Sequence, residues 1–524
     1  MTVFSNKKLI NTNFFYLILI FLFSFFINFY YAKFGSYPID TFLHYDSGFR
    51  ILNNEYPIRD YWIVSGFIVD FFQSFFFKIL GVNWFAHTFH SSIFNSLISV
   101  FSYYFFLNLN LSKAKSLIYA LSFATLAYTI SGTPFVDHHA TFLLLISTYL
   151  IVLVFNFPNK NYLWVLIVML FFLSFLSKQV PAVYVIFSQG IILIYFLIKM
   201  KKISAIKTIF LSSIFFLTLF ILTLIYLGID LKLFYTQYLE YPRTIGFDRY
   251  GKFTKSFEIF FNQYKFLFLP IILIVIIKFK KLQNKKIDLL LKDLVIFLII
   301  FALSMSLLFH QIMTRNQIFI YFLIPIFFAL LDSEIKNFDI KNKKYFSIIL
   351  IIFTIFITVK YHYRFNETRK FHELENVDLT KSIPALEIHR DLRGLEWITP
   401  SFADDPAKEI LILKQTKSRI EIISHEIMFI THYLFLDSII KKKLNSPSRV
   451  FTLDGASIPI TGNRLYADYK RFLISKIKSK DIKEIYFLKH EALSTRNVTD
   501  YIDKSCYSLI EDKLFYIFKI NCLK

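Results

Sequence analysis

The sequence predicts a mostly α protein: a polytopic membrane helix bundle of about eleven spans over residues 1–360, followed by a soluble extracytoplasmic α/β domain over 361–524. Three observations predict it. The 524 residues are 56% hydrophobic and only 18% charged, with a mean hydropathy of +0.52, whereas soluble domains carry more charge. Apolar runs of spanning length recur to about residue 360 and then stop. The lysines of the first part gather in alternate loops. A purely soluble enzyme, a disordered chain and a disulfide-rich secreted scaffold are excluded. Fifty-nine Lys and Arg against 37 Asp and Glu give a net charge of +22. In a membrane protein that excess marks cytoplasmic loops, not a nucleic-acid partner.

Lys7 and Lys8 precede an apolar run over 14–31, which exits through Tyr31-Ala32-Lys33-Phe34 without a small-x-small cleavage site. This reads as an uncleaved signal anchor with a cytoplasmic N-terminus. Further runs cover 84–107, 116–130, 140–155, 162–176, 182–198, 209–227, 266–277, 294–309, 318–331 and 346–359. Residues 62–80 are also apolar, yet Gly66, Asp70, Ser74 and Lys78 recur every fourth residue as one polar stripe. A charge at the centre of a span costs roughly 2.5–3.5 kcal/mol. The stripe therefore predicts an amphipathic helix lying in the interface, within a first external loop of 33–83. With that choice Lys113, Lys115, Lys160 and the lysines of 199–207, 278–286 and 336–344 all fall on the cytoplasmic side. The protein is expected to be a multi-pass inner-membrane protein with a periplasmic C-terminal domain.

Beyond residue 361 charge becomes dense. Segments 409–414, 449–453 and 484–488 predict strands, 469–477 a helix, and 505–510 with 514–520 a hairpin. A tight turn at Asp512-Lys513 would set Cys506 opposite Lys519, which predicts that Cys506 and Cys522 stay free or buried thiols.

The polar residues of the membrane part are sorted by side. His44, His87, His90, His138, His139 and His310 all map to external loops or external helix ends. A single histidine there does no more than anchor an interface; six on one side point to a polar site. The first external loop is the densest stretch, with Asp40, His44, Asp46, Arg50, Glu55, Arg59 and Asp60. A carboxylate just beyond a span is partly desolvated, so Asp40 or Asp46 can serve as general base on a hydroxyl. The competing role for Asp40 is to cap the helix that follows.

Asp40 beyond the first span, Pro57-Ile58-Arg59-Asp60, and an apolar helix ending in Phe77-Lys78-Ile79-Leu80-Gly81 before the second span resemble the first half of the GT-C superfamily. These are integral-membrane glycosyltransferases that use polyprenyl-phosphate sugars. The nearer likeness is to the protein-mannosyltransferase-like lipopolysaccharide-core and aminoarabinose transferases. The resemblance covers roughly the first 200 residues. It implies inverting transfer of a sugar from a polyprenyl-phosphate donor to a lipid, glycan or protein acceptor of the cell envelope. It puts the family's catalytic carboxylate on Asp40, with Asp46 as competitor. Its second acidic position falls on Asp137, followed by His138 and His139, and its lipid-phosphate position on Lys178-Gln179. The family's frequent Asp-Glu is here Asp40-Thr41, and its frequent Gly-Pro or Pro-Pro before the interfacial helix is Ser65-Gly66-Phe67.

Lys178 and Arg315 are external cations suited to a leaving phosphate, or to anchoring in the headgroup region. With His310, Arg59 and Asp60 they complete the candidate substrate-binding set. No cofactor is certain; a divalent metal on Asp137 and His138 is one option, which would need Asp40 or His310 as well. The alternative functions are a transporter or flippase of a lipid-linked saccharide, and a non-catalytic membrane subunit. A transporter would place its ionisable groups near mid-membrane on broken helices.

Overall fold

The computed structural model describes residues 7–521 except 130, 156, 158–159, 251–256, 285–286, 315–319, 337–342, 364–373, 375–376 and 453. The helices of the first part are α1 Lys7–Tyr31, α2 Pro38–Leu52, α3 Phe67–Leu80, α4 Trp84–Asn108, α5 Lys113–Ala127, α6 Val136–Val154, α7 Asn161–Ser177 and α8 Gln179–Lys199. They continue as α9 Ile203–Tyr226, α10 Leu231–Phe234, a π turn Tyr235–Glu240, α11 Tyr241–Tyr250, α12 Phe257–Asn284, α13 Ile287–Thr314, α14 Leu323–Lys336 and α15 Lys343–His362. Among the described residues seven helices, α1, α6, α8, α9, α12, α13 and α15, contain a stretch long and apolar enough to cross a membrane. The other four expected spans coincide with α4, α5, α7 and α14. Three of these are short, at 15, 17 and 14 residues for α5, α7 and α14.

α4 has 25 residues but is too polar to qualify by composition. Its serines explain this: they are spent on α1. Asn28 Nδ2 donates to Ser91 Oγ (3.1 Å) and Ser92 Oγ (2.8 Å), Asn95 Nδ2 to Ser24 Oγ (2.8 Å), and Ser24 and Ser99 hydroxyls meet at 3.0 Å. Small polar residues of this kind let helices approach and bond inside a bundle.

The helix α3 occupies the segment expected to lie in the interface, but its polar stripe points the other way. Asp70, Gln73 and Ser74 are buried against protein, while Phe75 and Ile79 are exposed. Only Lys78 of the stripe faces outward. Gly66, the residue before α3, has φ +82°, and its N–H donates to the Ser177 carbonyl (2.8 Å). A Cβ there would come within 2.8 Å of both His44 and Val136, so glycine is required where α2, α3, α6 and the end of α7 converge.

The C-terminal part holds a four-stranded sheet of order β3-β4-β6-β5, with β3 Ile427–Ile430, β4 Glu484–Leu488, β5 Tyr507–Glu511 and β6 Phe515–Ile520; a two-stranded ribbon pairs β1 Ile383–Pro384 with β2 Glu396–Trp397. β3 and β4 are parallel and the others antiparallel. Residues 484–488, the helix Tyr466–Ser479 and the hairpin fall as expected. Two expected strands do not. Residues 409–414 lie in a helix, Pro406–Glu421, started by Asp405 whose side chain accepts from Lys408 N (3.1 Å). Its apolar Ile410, Leu413 and Ile420 share one face, a helical spacing that outweighs the local run. Residues 449–452 form no strand. The hairpin pairs Tyr507 with Ile520 and Glu511 with Tyr516, two residues away from the expected register because its loop is longer. Asn521 N then donates to Cys506 O (2.9 Å). Cys506 is disulfide-bonded, which overturns the expectation of free thiols; Cys522 lies outside the described residues.

Successive residues of β3 enter different cores, as strand geometry demands. Ile427 and Phe429 pack with Phe42 and Tyr45 of α2 and Trp84 of α4. Met428 and Ile430 pack with Trp62 and Tyr241. The sheet is therefore not a separate body: the first loop forms part of both its faces.

Candidate functional site

α7 ends at Ser177 and α8 begins at Gln179; between them Lys178 is extended (φ −156°, ψ 128°). That break sends its side chain across to Asp137 in the first turn of α6. Lys178 Nζ lies 2.8 Å from Asp137 Oδ1 and 2.7 Å from Oδ2, and His310 Nε2, near the end of α13, donates to Oδ1 (2.7 Å). Two of the three ammonium hydrogens of Lys178 serve Asp137.

Lys178 and His310 border a cavity of about 770 Å³ lined by α2, the 62–65 segment, the α7–α8 break, α11, the end of α13 and residues 448–457, with Asp137 behind them. Asp40, Lys178, His310, Arg243 and Arg449 bring charge to it; Phe175, Val183, Leu239 and Met313 form an apolar wall. Val183 is also 45% exposed on the outside of α8, so the cavity adjoins the lipid-facing surface of a candidate span. Among the described residues Asp40 is the one carboxylate lining it. Among the described residues Asp40 has no hydrogen bond or ion pair. Burial, reinforced by the nearby Asp137 charge and opposed by Lys178, pushes its pKa up to about 6. Asp40 does not cap α2: the residue before the helix is Tyr37, whose N–H donates to Thr41 Oγ1 (3.1 Å).

The other expected site residues divide. Asp46 lies away from the cavity wall, beside Arg50 (3.7 Å), whose Nε donates to Glu55 (3.1 Å) and whose guanidinium stacks on Tyr61. Arg59 and Asp60 pair with each other (2.7 Å) at a different cavity. Gln179 donates to the Val64 carbonyl (2.8 Å) and the Tyr238 carbonyl, holding the cavity wall. His139 Nε2 is 3.0 Å from His90 Nε2, and Gln73 Oε1 is 2.9 Å from His90 Nδ1 and His87 Nδ1; of the six histidines His310 lines the cavity and the other five do not. His138 packs on Phe135 and Phe142 while Asp137 faces Lys178 and His310. Asp137 and His138 therefore do not form one metal site, and among the described residues no three His, Cys, Asp or Glu side chains gather as ligands. Arg315 lies outside the described residues.

Sequence reasoning missed Arg449. Its Nη1 donates to Asp70 Oδ1 (3.0 Å) and Oδ2 (2.8 Å), its Nη2 to the Ser65 carbonyl, and His44 Nδ1 donates to the same Asp70 Oδ1 (2.7 Å). A signal existed: Asp70 on an apolar helix requires a cation when buried. No protein-family model matches the chain, and no curated protein matches it.

Proposed function

We propose that this protein is a glycosyltransferase that moves a sugar from a polyprenyl-phosphate donor to an envelope acceptor at the external face of the membrane. The observation that carries the reading is Asp40: a carboxylate without a partner among the described residues, raised to about 6, in a cavity that also holds Lys178 and adjoins the lipid surface. The polyprenyl chain follows the apolar wall of Phe175, Val183 and Met313. Lys178 directs its remaining N–H to the donor phosphate. The acceptor hydroxyl gives its proton to Asp40; its oxygen attacks the anomeric carbon from the face opposite the phosphate. The carbon–oxygen bond to phosphate breaks, and polyprenyl phosphate leaves with the electron pair, its charge met by Lys178. The configuration inverts, and Asp40 returns its proton to water. Asp137 and His310 are positioning residues that hold the ammonium. The eleven-span topology with the C-terminal part outside belongs to this reading.

The charged groups of the cavity sit at helix ends, not at mid-helix, which favours transfer over transport. The test is transfer from a synthetic polyprenyl-phosphate sugar by the full chain in nanodiscs, followed by release of polyprenyl phosphate. Donor-dependent release supports the reading; none with any donor and envelope extract refutes it.

A further inference from the structure

Arg59 and Asp60 border a second cavity, of about 410 Å³, between the α9–α10 turn and the helix Tyr466–Ser479. It is lined by five cations, Arg59, Lys232, Arg471, Lys476 and Lys480, against three carboxylates, Asp60, Asp230 and Asp468. The carboxylates are already engaged. Asp60 pairs with Arg59 (2.7 Å), Asp468 pairs with Arg471, and Asp230 accepts from Leu233 N (2.8 Å). Lys232, Lys476 and Lys480 have no carboxylate partner among the described residues. Lys476 is the informative one. Its side chain is only 6% exposed, and its ammonium meets just the Asp60 backbone carbonyl. Burial, with Arg50 and Lys480 near by and against the pull of Glu55 and Asp60, lowers its pKa to about 8. A buried ammonium beside an excess of positive charge is costly unless an anion completes it.

Position says which anion. Arg59 Nη1 donates to the Leu227 carbonyl (2.9 Å) at the end of α9, the most lipid-exposed of the candidate spans, with 11% of its window buried. Tyr226 is 88% exposed and Leu231 and Tyr235 are exposed beside it, an aromatic and apolar fringe of the kind found at headgroup depth. We infer that this cavity binds the phosphate of an anionic lipid headgroup, held by Lys476, Lys232 and Lys480 while its acyl chains lie along α9. The site is separate from the cavity of Asp40. One wall lies between them, made by Trp62 on one side and Phe472 on the other, with ring centroids 5.9 Å apart.

The test uses the full chain in neutral detergent and reads its thermal midpoint against phosphatidylglycerol, phosphatidylcholine or inorganic phosphate. Phosphatidylglycerol is expected to stabilise the wild type more than phosphatidylcholine does, with inorganic phosphate without effect. The double variant Lys232→Gln/Lys480→Gln changes only exposed side chains and should fold. It should need roughly tenfold more phosphatidylglycerol, or more, for the same stabilisation, the size of a lost charge-assisted bond. Lys476→Gln should abolish the difference between the lipids. Lys199→Gln, at the last residue of α8 and outside this cavity, should respond as wild type does. Equal responses to both lipids, or equal responses of wild type and double variant, overturn the proposal. Full stabilisation by inorganic phosphate alone overturns the lipid source. No sugar donor is present, so the result is independent of the transferase reading.

Discussion

The two ends of the helix bundle both bury charge, and they treat it differently. At the end opposite the histidines, Lys115 reaches Asp332 (3.1 Å), which also accepts from Ser347 (2.6 Å); Lys278 bridges Asp293 (2.9 Å) and Glu334 (2.6 Å), with Lys281 also on Glu334. Each of these three carboxylates has a cation, and the local cavity is about 300 Å³. At the histidine end the cavity is about 770 Å³ and Asp40 stands without a partner among the described residues. The first end fastens α5, α12, α13, α14 and α15; at the second, Asp40 lines the cavity with no hydrogen bond or ion pair among the described residues. The proposed transferase chemistry rests on that difference between closed pairing and an acidic group facing a shaped cavity.

The sharpest way to break that contrast is Asp40→Asn. Because Asp40 neither caps α2 nor pairs, the variant should keep its thermal midpoint while turnover falls roughly 10²–10⁴-fold. Asp46→Asn should do the reverse, loosening Arg50 with a milder effect on turnover per folded molecule. Equal turnover losses with equal unfolding in both would erase the distinction. Lys115→Ala at the opposite end removes the cation on buried Asp332. It should cost about 3 kcal/mol or more of stability, read as a lower midpoint, with turnover per folded molecule unchanged.

Lys178→Ala should weaken donor use by roughly 10–150-fold, one charge-assisted bond of about 1.5–3 kcal/mol, and Lys178→Arg should recover part of it. Unchanged donor KM in folded Lys178→Ala would return this residue to an anchoring role. The smallest effect is the pH profile. The folded pKa of Asp40, about 6, lies above its ordinary value of 3.8. The base form therefore appears as pH rises through about 6, giving kcat/KM an acidic limb there. The folded state also holds the extra proton between about 4 and 6, so Asp40 makes stability fall across that window as pH rises and adds no further slope above it. Asp40→Asn should flatten both curves.

Helix positions were legible in the sequence wherever apolar length alone decides, as in α6, α8 and α13. Side was harder. The Asp70 stripe of α3 was visible as a stripe, yet nothing local says whether it meets water or Arg449, 379 residues away. The position of Asp40 beyond the first span was readable, while its lack of a partner depends on where α6, α7 and α13 end. Lys178 was singled out, but its pairing with Asp137 required the break between α7 and α8. The 409–414 segment misled because four apolar residues in six fit a strand as well as a buried helix face, and Asp405-Pro406, a good helix start, was outweighed.

The Asp70–Arg449 bond has a consequence in time. A ribosome working at ~5–20 residues per second needs ~20–75 s to pass from one partner to the other, 379 residues later. During that interval α3 is already made, with an acidic side chain awaiting its cation, and the wall that residues 448–457 give the cavity does not exist. The finishing of the cavity is therefore among the last events of synthesis. A chain released before residue 448, even one with every apolar helix inserted, lacks the part of the cavity wall opposite Asp40 that residues 448–457 supply, so the cavity takes its final shape only when the polypeptide is nearly complete.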